Sequence, residues 1–491
     1  MIRQKFLILF VALLGVLLWT FDAEAQIQPG WSPPYQLSAS GTKASEASVI
    51  ADSYGYVHAF WTEDLADGTT SVLQYSRYDG WIWSTPIDIQ IGSVVNPIKG
   101  ISPFVDDNGR LHLVWTTGQS SPIRYTSAPA HSALSAQAWE TPTLIPVAAD
   151  RSKIVVDSQG VIHVIFTNLN GSERGVFAVR SKDQGRTWSL PTWIDPDVPA
   201  EQGPGTLQVQ LDDAGGIHVV WFYISLVAVS GDWVRYAHSL DGGQTWSRPF
   251  TIDKVGEEGG SLQLDAASPV MAVTGQTVHV VWAGSEVNHL RNHRYSTDAG
   301  LTWSEPTRIF GSLNGQAFEA LAADGAGRIH YFGQIRYPQG IYHSIWDGEE
   351  WTEPELIYLI SSNSTDPIGN RIHAHHTHPA ILAGNQVVLT FADSPPEPER
   401  RLFVTIHTLT DIPQSHLMST PTPTPIPTLA PEAGYDITEA VAGPTPLPVD
   451  LQGGPLATDT NDPGKVLWYG FAASLLLISG FVVFRFIRVI R

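Results

Sequence analysis

The 491-residue chain contains no cysteine and only three methionines. Without thiols, disulfide scaffolds, thiolate zinc sites, iron–sulfur clusters and cysteine nucleophiles are excluded. Positive charge is scarce too: 28 Lys and Arg stand against 48 Asp and Glu, a formal net charge of -20. Phosphate backbones are bound by clustered Lys and Arg, so nucleic acid is not expected as a partner. Charged residues of either sign make up 15% of the chain, too few for long solvated helices. What is abundant is 43 Gly, 35 Pro and 17 Trp, the profile of many short strands joined by turns.

Both ends read as separate from the fold. Arg3 and Lys5 precede the apolar run Phe6–Trp19, and Ala23-Glu24-Ala25 fits the small-x-small cleavage rule, so residues 1–25 are expected to be a secretory signal peptide. Val466–Phe484 is 19 residues without a charge. As a helix it spans about 28 Å, against about 30 Å for a bilayer core. Arg485, Arg488 and Arg491 follow it directly, which predicts a membrane helix over 465–485 and a cytoplasmic tail over 486–491. The mature chain is then a single-pass cell-membrane protein, with residues 26–464 on the extracytoplasmic side. Residues 413–464, beginning with the Thr/Pro string Ser419–Thr428, lack the apolar content to fold and read as a disordered stalk.

The middle of the chain repeats itself. Trp-x-x-Pro begins at Trp31, Trp83, Trp139, Trp188, Trp246, Trp303 and Trp351, at intervals of 48 to 58 residues. Between these lies a turn followed by apolar-His-apolar-apolar-Trp, as in Asp52–Trp61 and Asp106–Trp115, with copies at Asp157–Phe166, Asp212–Trp221, Gln276–Trp282 and Asp324–Phe332 and a weaker one at Asn385–Phe391. Eleven of the 17 Trp occupy these two positions, which chance does not produce. Each unit reads as four short strands, the pattern of a propeller blade. The first Trp-Ser-Pro-Pro has no strands before it, and the seventh unit lacks its fourth strand. The expected fold over residues 26–412 is therefore an all-β, seven-bladed β-propeller of four-stranded antiparallel blades, closed by the N-terminal strand, with the C-terminal transmembrane helix added.

A third motif, Ser-x-Asp-x-Gly-x-Thr-Trp, occurs in full at Ser181–Trp188, Ser239–Trp246 and Ser296–Trp303. It resembles the Asp box, or bacterial neuraminidase repeat, of sialidase-like propellers. The resemblance implies structural roles at the blade periphery for Ser181, Asp183, Gly185 and Trp188, for Ser239, Asp241, Gly243 and Trp246, and for Ser296, Asp298, Gly300 and Trp303. Asp would accept turn hydrogen bonds, Gly would take a positive φ, and Trp would pack into its blade. The histidines of the second strands (His58, His112, His163, His218, His279 and His330) are spread around the ring and cannot share one ion. They predict hydrogen bonds between blades.

Propellers take ligands at the channel mouth. In register, the mouth positions hold Glu46, Ser102, Lys153, Gln208, Ser268, Glu319 and His378, a polar ring of mixed sign suited to a small molecule or glycan. A solvated entrance without a ligand is the plain alternative. Arg371–Pro379 carries His373, His375, His376 and His378 within six residues, and neutral imidazoles at that density suit zinc or copper. No nearby Cys or carboxylate completes a set, so no metal or cofactor is expected and the loop reads as a ligand contact or a plain connection.

Sialidases of this family, as the resemblance implies, hold a carboxylate with three arginines and use a Tyr–Glu nucleophile pair with an Asp acid/base. They also bear Arg-Ile-Pro before the first box and close with six blades. This chain has no Arg-Ile-Pro; the nearest string, Arg336-Tyr-Pro338, lies in the sixth of seven units. No catalytic residue can be assigned, and Arg151, Arg291, Arg294 and Arg371 stand as candidates for an anionic ligand. The expected function is recognition of an extracellular glycan or protein by a membrane-anchored propeller, not catalysis. A sialidase-like glycoside hydrolase using paired carboxylates is the second reading, and a structural or assembly protein of the cell envelope the third.

Overall fold

Segments such as Val57–Asp64 and Ile217–Ser225 alternate no polar face with an apolar one: they are buried at nearly every position, on both faces. A strand of that kind needs a covering layer on each side. The computed structural model describes residues 29–419 except 119, 170–173, 200, 227–230, 255–265, 285–289, 361–376 and 394–399, and supplies those layers. Seven antiparallel sheets of four strands each are present, and their innermost strands contact one another in an unbroken cycle. These inner strands are Lys43–Ala51, Ile98–Val105, Arg151–Val156, Gln202–Leu211, Ala266–Thr274, Asn314–Ala323 and His378–Leu382, for blades 1 to 7. The fold is an all-β, seven-bladed propeller. Among the described residues no helix is long and apolar enough to cross a membrane. The expected signal peptide, membrane helix and cytoplasmic tail lie outside the described residues, as does the stalk beyond residue 419.

The ring closes as the orphan strand requires. Tyr35 and Gln36 pair with Val404 and Phe403 of blade 7, and the Leu37 N–H donates to the Leu402 carbonyl at 2.8 Å. The N-terminal strand enters beside His407, at the far end of strand Arg401–Thr408. The C-terminal segment leaves at that same end, where the N–H groups of Ser415 and Met418 donate to Ala383 and Ser53, in the inner turns of blades 7 and 1.

One hydrophobic cluster fills each seam between blades. Alternation along the second strand of a blade sends successive side chains to opposite seams. Trp61 packs with Leu37, Leu382 and Val404 against blade 7, whereas its neighbour Phe60 packs with Leu111, Leu113 and Trp115 of blade 2.

The second-strand histidines do not bridge blades; that expectation is corrected. In five blades the turn aspartate divides its two oxygens. Asp52 Oδ1 accepts the N–H groups of Tyr54 and Tyr56, while Oδ2 meets His58 Nε2 at 3.1 Å. The same arrangement holds at Asp106/His112, Asp157/His163, Asp212/His218 and Asp324/His330. In blades 1, 2 and 4 the other ring nitrogen meets a tyrosine hydroxyl of the third strand: Tyr75, Tyr125 or Tyr236. The histidine's own bonds stay within one blade because Asp and His, six residues apart, sit on the two arms of one hairpin; in blade 4 the Tyr236 hydroxyl carries the chain on to the Ala299 carbonyl of blade 5 at 3.3 Å.

The blades are joined at their rims by the Ser-x-Asp-x-Gly-x-Thr-Trp loops. Ser181 Oγ donates to Asp183 and accepts the Gly185 N–H, and Asp183 accepts both the N–H and the hydroxyl of Thr187. Ser239–Thr245 and Ser296–Thr302 repeat these bonds. The threonine hydroxyls hold Asp183 and Asp298 down to about 2. The tryptophans pack into the seam with the preceding blade, not into their own: Trp188 lies edge-on to Tyr125 and Trp303 to Tyr236, while Trp246 joins the cluster between blades 3 and 4. At Gly300, φ is +86°, and an added Cβ would stand 2.1 Å from Tyr236 Oη. Gly348 has φ +111° with open space around it. Gly300→Ala should therefore cost about 2–4 kcal/mol, from strain and overlap together. Gly348→Ala carries the strain alone, so urea denaturation of the two variants should separate the contributions.

Blades 5 and 6 replace the tyrosine with a second histidine, giving buried pairs His279–His293 at 3.0 Å and His330–His343 at 2.9 Å. Burial lowers His279 to about 4 and His343 to about 3. An unfolded histidine titrates near about 6.5, so the unfolded chain binds the extra protons first. Stability should thus be complete above pH ~6.5 and decline as pH falls toward ~4. The check is the urea midpoint across that window: the double variant His279→Leu, His293→Leu should flatten part of the slope.

Candidate functional site

The antiparallel order of each blade fixes what lies on each face of the ring. Connections from the fourth strand of one blade to the first of the next open on one face, together with those between second and third strands. The Asp-x-x-Gly turns and the Ser-x-Asp loops open on the other. Residues at the start of the inner strands therefore converge at the mouth, away from the rim loops.

The inner strands are not regular there. Register shifts interrupt the pairing of first and second strands between Ser45 and Ser48, Lys99 and Ser102, Pro204 and Leu207, Ala267 and Val270, and Asn314 and Ala317. Such bulges bend a strand and re-aim its side chains. Two of the bulged residues are held at positive φ without being glycine: Glu46 at +53° and Ser268 at +51°. A non-glycine residue in that region costs about 1–3 kcal/mol and persists only where its surroundings enforce it.

The bulges surround a cavity of about 360 Å³. Glu46, Lys153, Gln208, Ser268, Glu319 and His378 all line it, drawn from six blades. Ser102 does not. The bulge before it turns it away, and its buried hydroxyl accepts the Ile154 N–H while Lys99 and Gly100 represent blade 2 in the wall. Arg371, His373, His375 and His376 lie outside the described residues. Among the described residues no group of His, Asp and Glu is placed to hold a metal.

Positive charge in the cavity is gathered on one side. Lys99 of blade 2 and Arg151 and Lys153 of blade 3 form a basic arc, and among the described residues no carboxylate stands within ion-pair distance of them. Arg151 donates to the Asp150 carbonyl. Burial pulls the Lys153 ammonium below the usual lysine value; the Glu46 charge opposes that fall and Arg151 adds to it. Glu46 Oε2 accepts the Gly100 N–H at 2.9 Å. Across the cavity, Glu319 Oε1 takes the Arg291 guanidinium and, at 2.7 Å, the Tyr331 hydroxyl. Three residues of the wall also carry a buried polar atom with no hydrogen-bond partner among the described residues: Ser152 Oγ, Thr377 Oγ1 and Glu319 Oε2.

The other arginine candidates serve the framework. Arg291 is fully buried and neutralises Glu319, and Arg294 donates to the carbonyls of Ser304 and Ile252 in a seam. Arg151 is the arginine of the cavity wall among the described residues. A Tyr–Glu pair is present, but Tyr331 is 0% exposed and its hydroxyl is spent on Glu319. Lys99 was not singled out by sequence register, because a bulge shifts which residue faces the cavity; Ser152 and Thr377, each one residue before a register position, were missed without such a shift. Glycine beside lysine at Lys99-Gly100, where φ is +63°, is the local sign of such a bulge.

No protein-family model matches the chain, and no curated protein sequence does. Among solved structures, the polysaccharide lyase Uly1 is 12% identical, covers 74% of this chain and 89% of its own, and superposes with a TM-score of 0.50. A protein of unknown function from Dyadobacter fermentans is 14% identical, with 78% of this chain and 100% of its own covered and a TM-score of 0.46. A variant of the NanB sialidase from Streptococcus pneumoniae is 13% identical, with 77% and 71% covered and a TM-score of 0.43. At these identities the likeness is one of fold.

Removing Arg291 would strand Glu319 as a buried carboxylate. Arg291→Met should cost about 3–5 kcal/mol, and a double variant with Glu319→Leu should recover most of it. Denaturant midpoints of the two variants check this.

Proposed function

We propose that the propeller is a recognition module that holds an anionic sugar, the acidic residue of a glycan, in the mouth cavity. The observation that carries this reading is the basic arc. Lys99, Arg151 and Lys153 converge in one small cavity of a protein whose formal net charge is -20, and among the described residues no carboxylate neutralises them by contact. Two of the chain's seven lysines are spent there. Guanidinium and ammonium donors complement a carboxylate or sulfate, and the low-dielectric wall strengthens the attraction. The Ser152 and Thr377 hydroxyls and Glu319 Oε2, without a partner among the described residues, offer sugar hydroxyls the donors and acceptors they need. A cavity of about 360 Å³ suits one or two rings.

In this reading the ligand is extracellular, the Ser-x-Asp loops are Asp boxes that keep the rim rigid, and the C-terminal apolar segment holds the protein in the cell membrane. A hydrolytic reading draws on Glu46 and Glu319, two carboxylates in one cavity wall. Both are already hydrogen-bonded to protein, and the nucleophile-type tyrosine is buried, so recognition is preferred.

Calorimetric titration should show glucuronate binding and glucose binding far more weakly, with the glucuronate affinity falling as salt is raised. Lys153→Met should weaken glucuronate by about tenfold or more, the equivalent of one charge-assisted hydrogen bond, and leave glucose unchanged. Equal binding of both sugars would remove the anion from the reading. Turnover of a fluorogenic sialoside or glucuronide would replace it with the hydrolase.

A further inference from the structure

Glu46 is the carboxylate nearest in kind to what the basic arc would bind. It stands half-buried in the same wall, in a backbone conformation that side chains rarely adopt. Its carboxylate makes no ion pair within 4 Å of Lys99, Arg151 or Lys153 and is held instead by a neutral donor, the Gly100 N–H of the neighbouring blade. That donor follows Lys99 directly in sequence, so the carboxylate is parked beside the arc without being locked to it. Its field nevertheless reaches Lys153.

We propose that Glu46 is an internal counter-ion of the mouth, a built-in competitor whose negative charge sets how strongly and how selectively anions are held. The inference rests on the reading of the cavity as an anion site. A charge fixed at this position lowers the attraction of the arc for every anion, and lowers it more for a doubly charged ion than for a singly charged one, because the repulsion scales with the charge. A neutral sugar is not affected. The mouth is thereby tuned to a monoanion carried on a polyhydroxyl frame, which gains from the hydroxyl-binding wall, and against bare multivalent anions, which do not. The strained φ at Glu46 fits this role, since a glycine at that bulge would meet the backbone requirement at no cost but would leave the arc uncompensated.

Two variants separate charge from structure. Glu46→Gln keeps a carbonyl oxygen to accept the Gly100 N–H and removes only the charge. Glu46→Gly removes charge and strain together at a φ that glycine adopts freely. In calorimetric titrations of the full chain, both variants should bind glucuronate about tenfold more tightly than the unaltered protein and gain more than that for inorganic sulfate. Glucose should bind as before, and the melting temperature of Glu46→Gln should stay in place. Unchanged or weaker sulfate and glucuronate binding by both variants would overturn the counter-ion role, while glucuronate binding by the unaltered protein would leave the cavity reading standing. The reverse pattern, no glucuronate binding anywhere but sulfate gained in both variants, would sink the sugar reading and keep the counter-ion.

Discussion

A blade of this protein cannot bury its own surface. Its second strand is apolar on both sides, and every large side chain on it needs a neighbouring blade to cover it, so the seams between blades are the interaction on which all else depends. Seven clusters, one per seam, hold the buried tryptophans and tyrosines. An open array would leave one seam wet at each end. Closure by the N-terminal strand removes that defect, which is why Leu37, Ala44, Leu402 and Val404, far apart in sequence, share one cluster.

Around these seams polar groups are used to fasten, not to react. The turn aspartate satisfies two backbone N–H groups and one imidazole, and the imidazole ties the inner hairpin to the third strand. The rim loops then reach across to the tyrosines of the preceding blade. With the outer ring fixed in this way, the inner ends of the blades can hold bulges and strained residues that a looser fold would relax. The mouth cavity is the product of that rigidity.

Much of this was legible in the sequence. The spacing of Trp-x-x-Pro gave the number of blades, and the unpaired first and last strands gave the closure. Simple register brought Glu46, Lys153, Gln208, Ser268, Glu319 and His378 to one cavity. Three things were not legible, each for a physical reason. The partner of a repeated histidine depends on which arm of the hairpin it faces; Asp and His recur six residues apart, and that shared spacing was the overlooked signal. A bulge slips the register by one residue, so Ser102 turned away from the cavity and Lys99 took its place. Arg291 could not be told from a ligand-binding arginine, because its partner Glu319 is 28 residues away in the next blade.

The route by which the chain leaves the ring has a mechanical meaning. Strand Arg401–Thr408 lies inside its sheet, with Gln386–Asp393 on one side and the N-terminal strand on the other, and it runs from the mouth face to the face where the chain exits. If a ligand held at the mouth is pulled while the chain is anchored beyond residue 419, the tension first peels away the short attachments at Met418 and Ser415. It then runs lengthwise along a strand clamped on both edges. Its hydrogen bonds are sheared as a group instead of being unzipped one at a time, and the blade assembled from both ends of the chain becomes the one best placed to resist a steady pull.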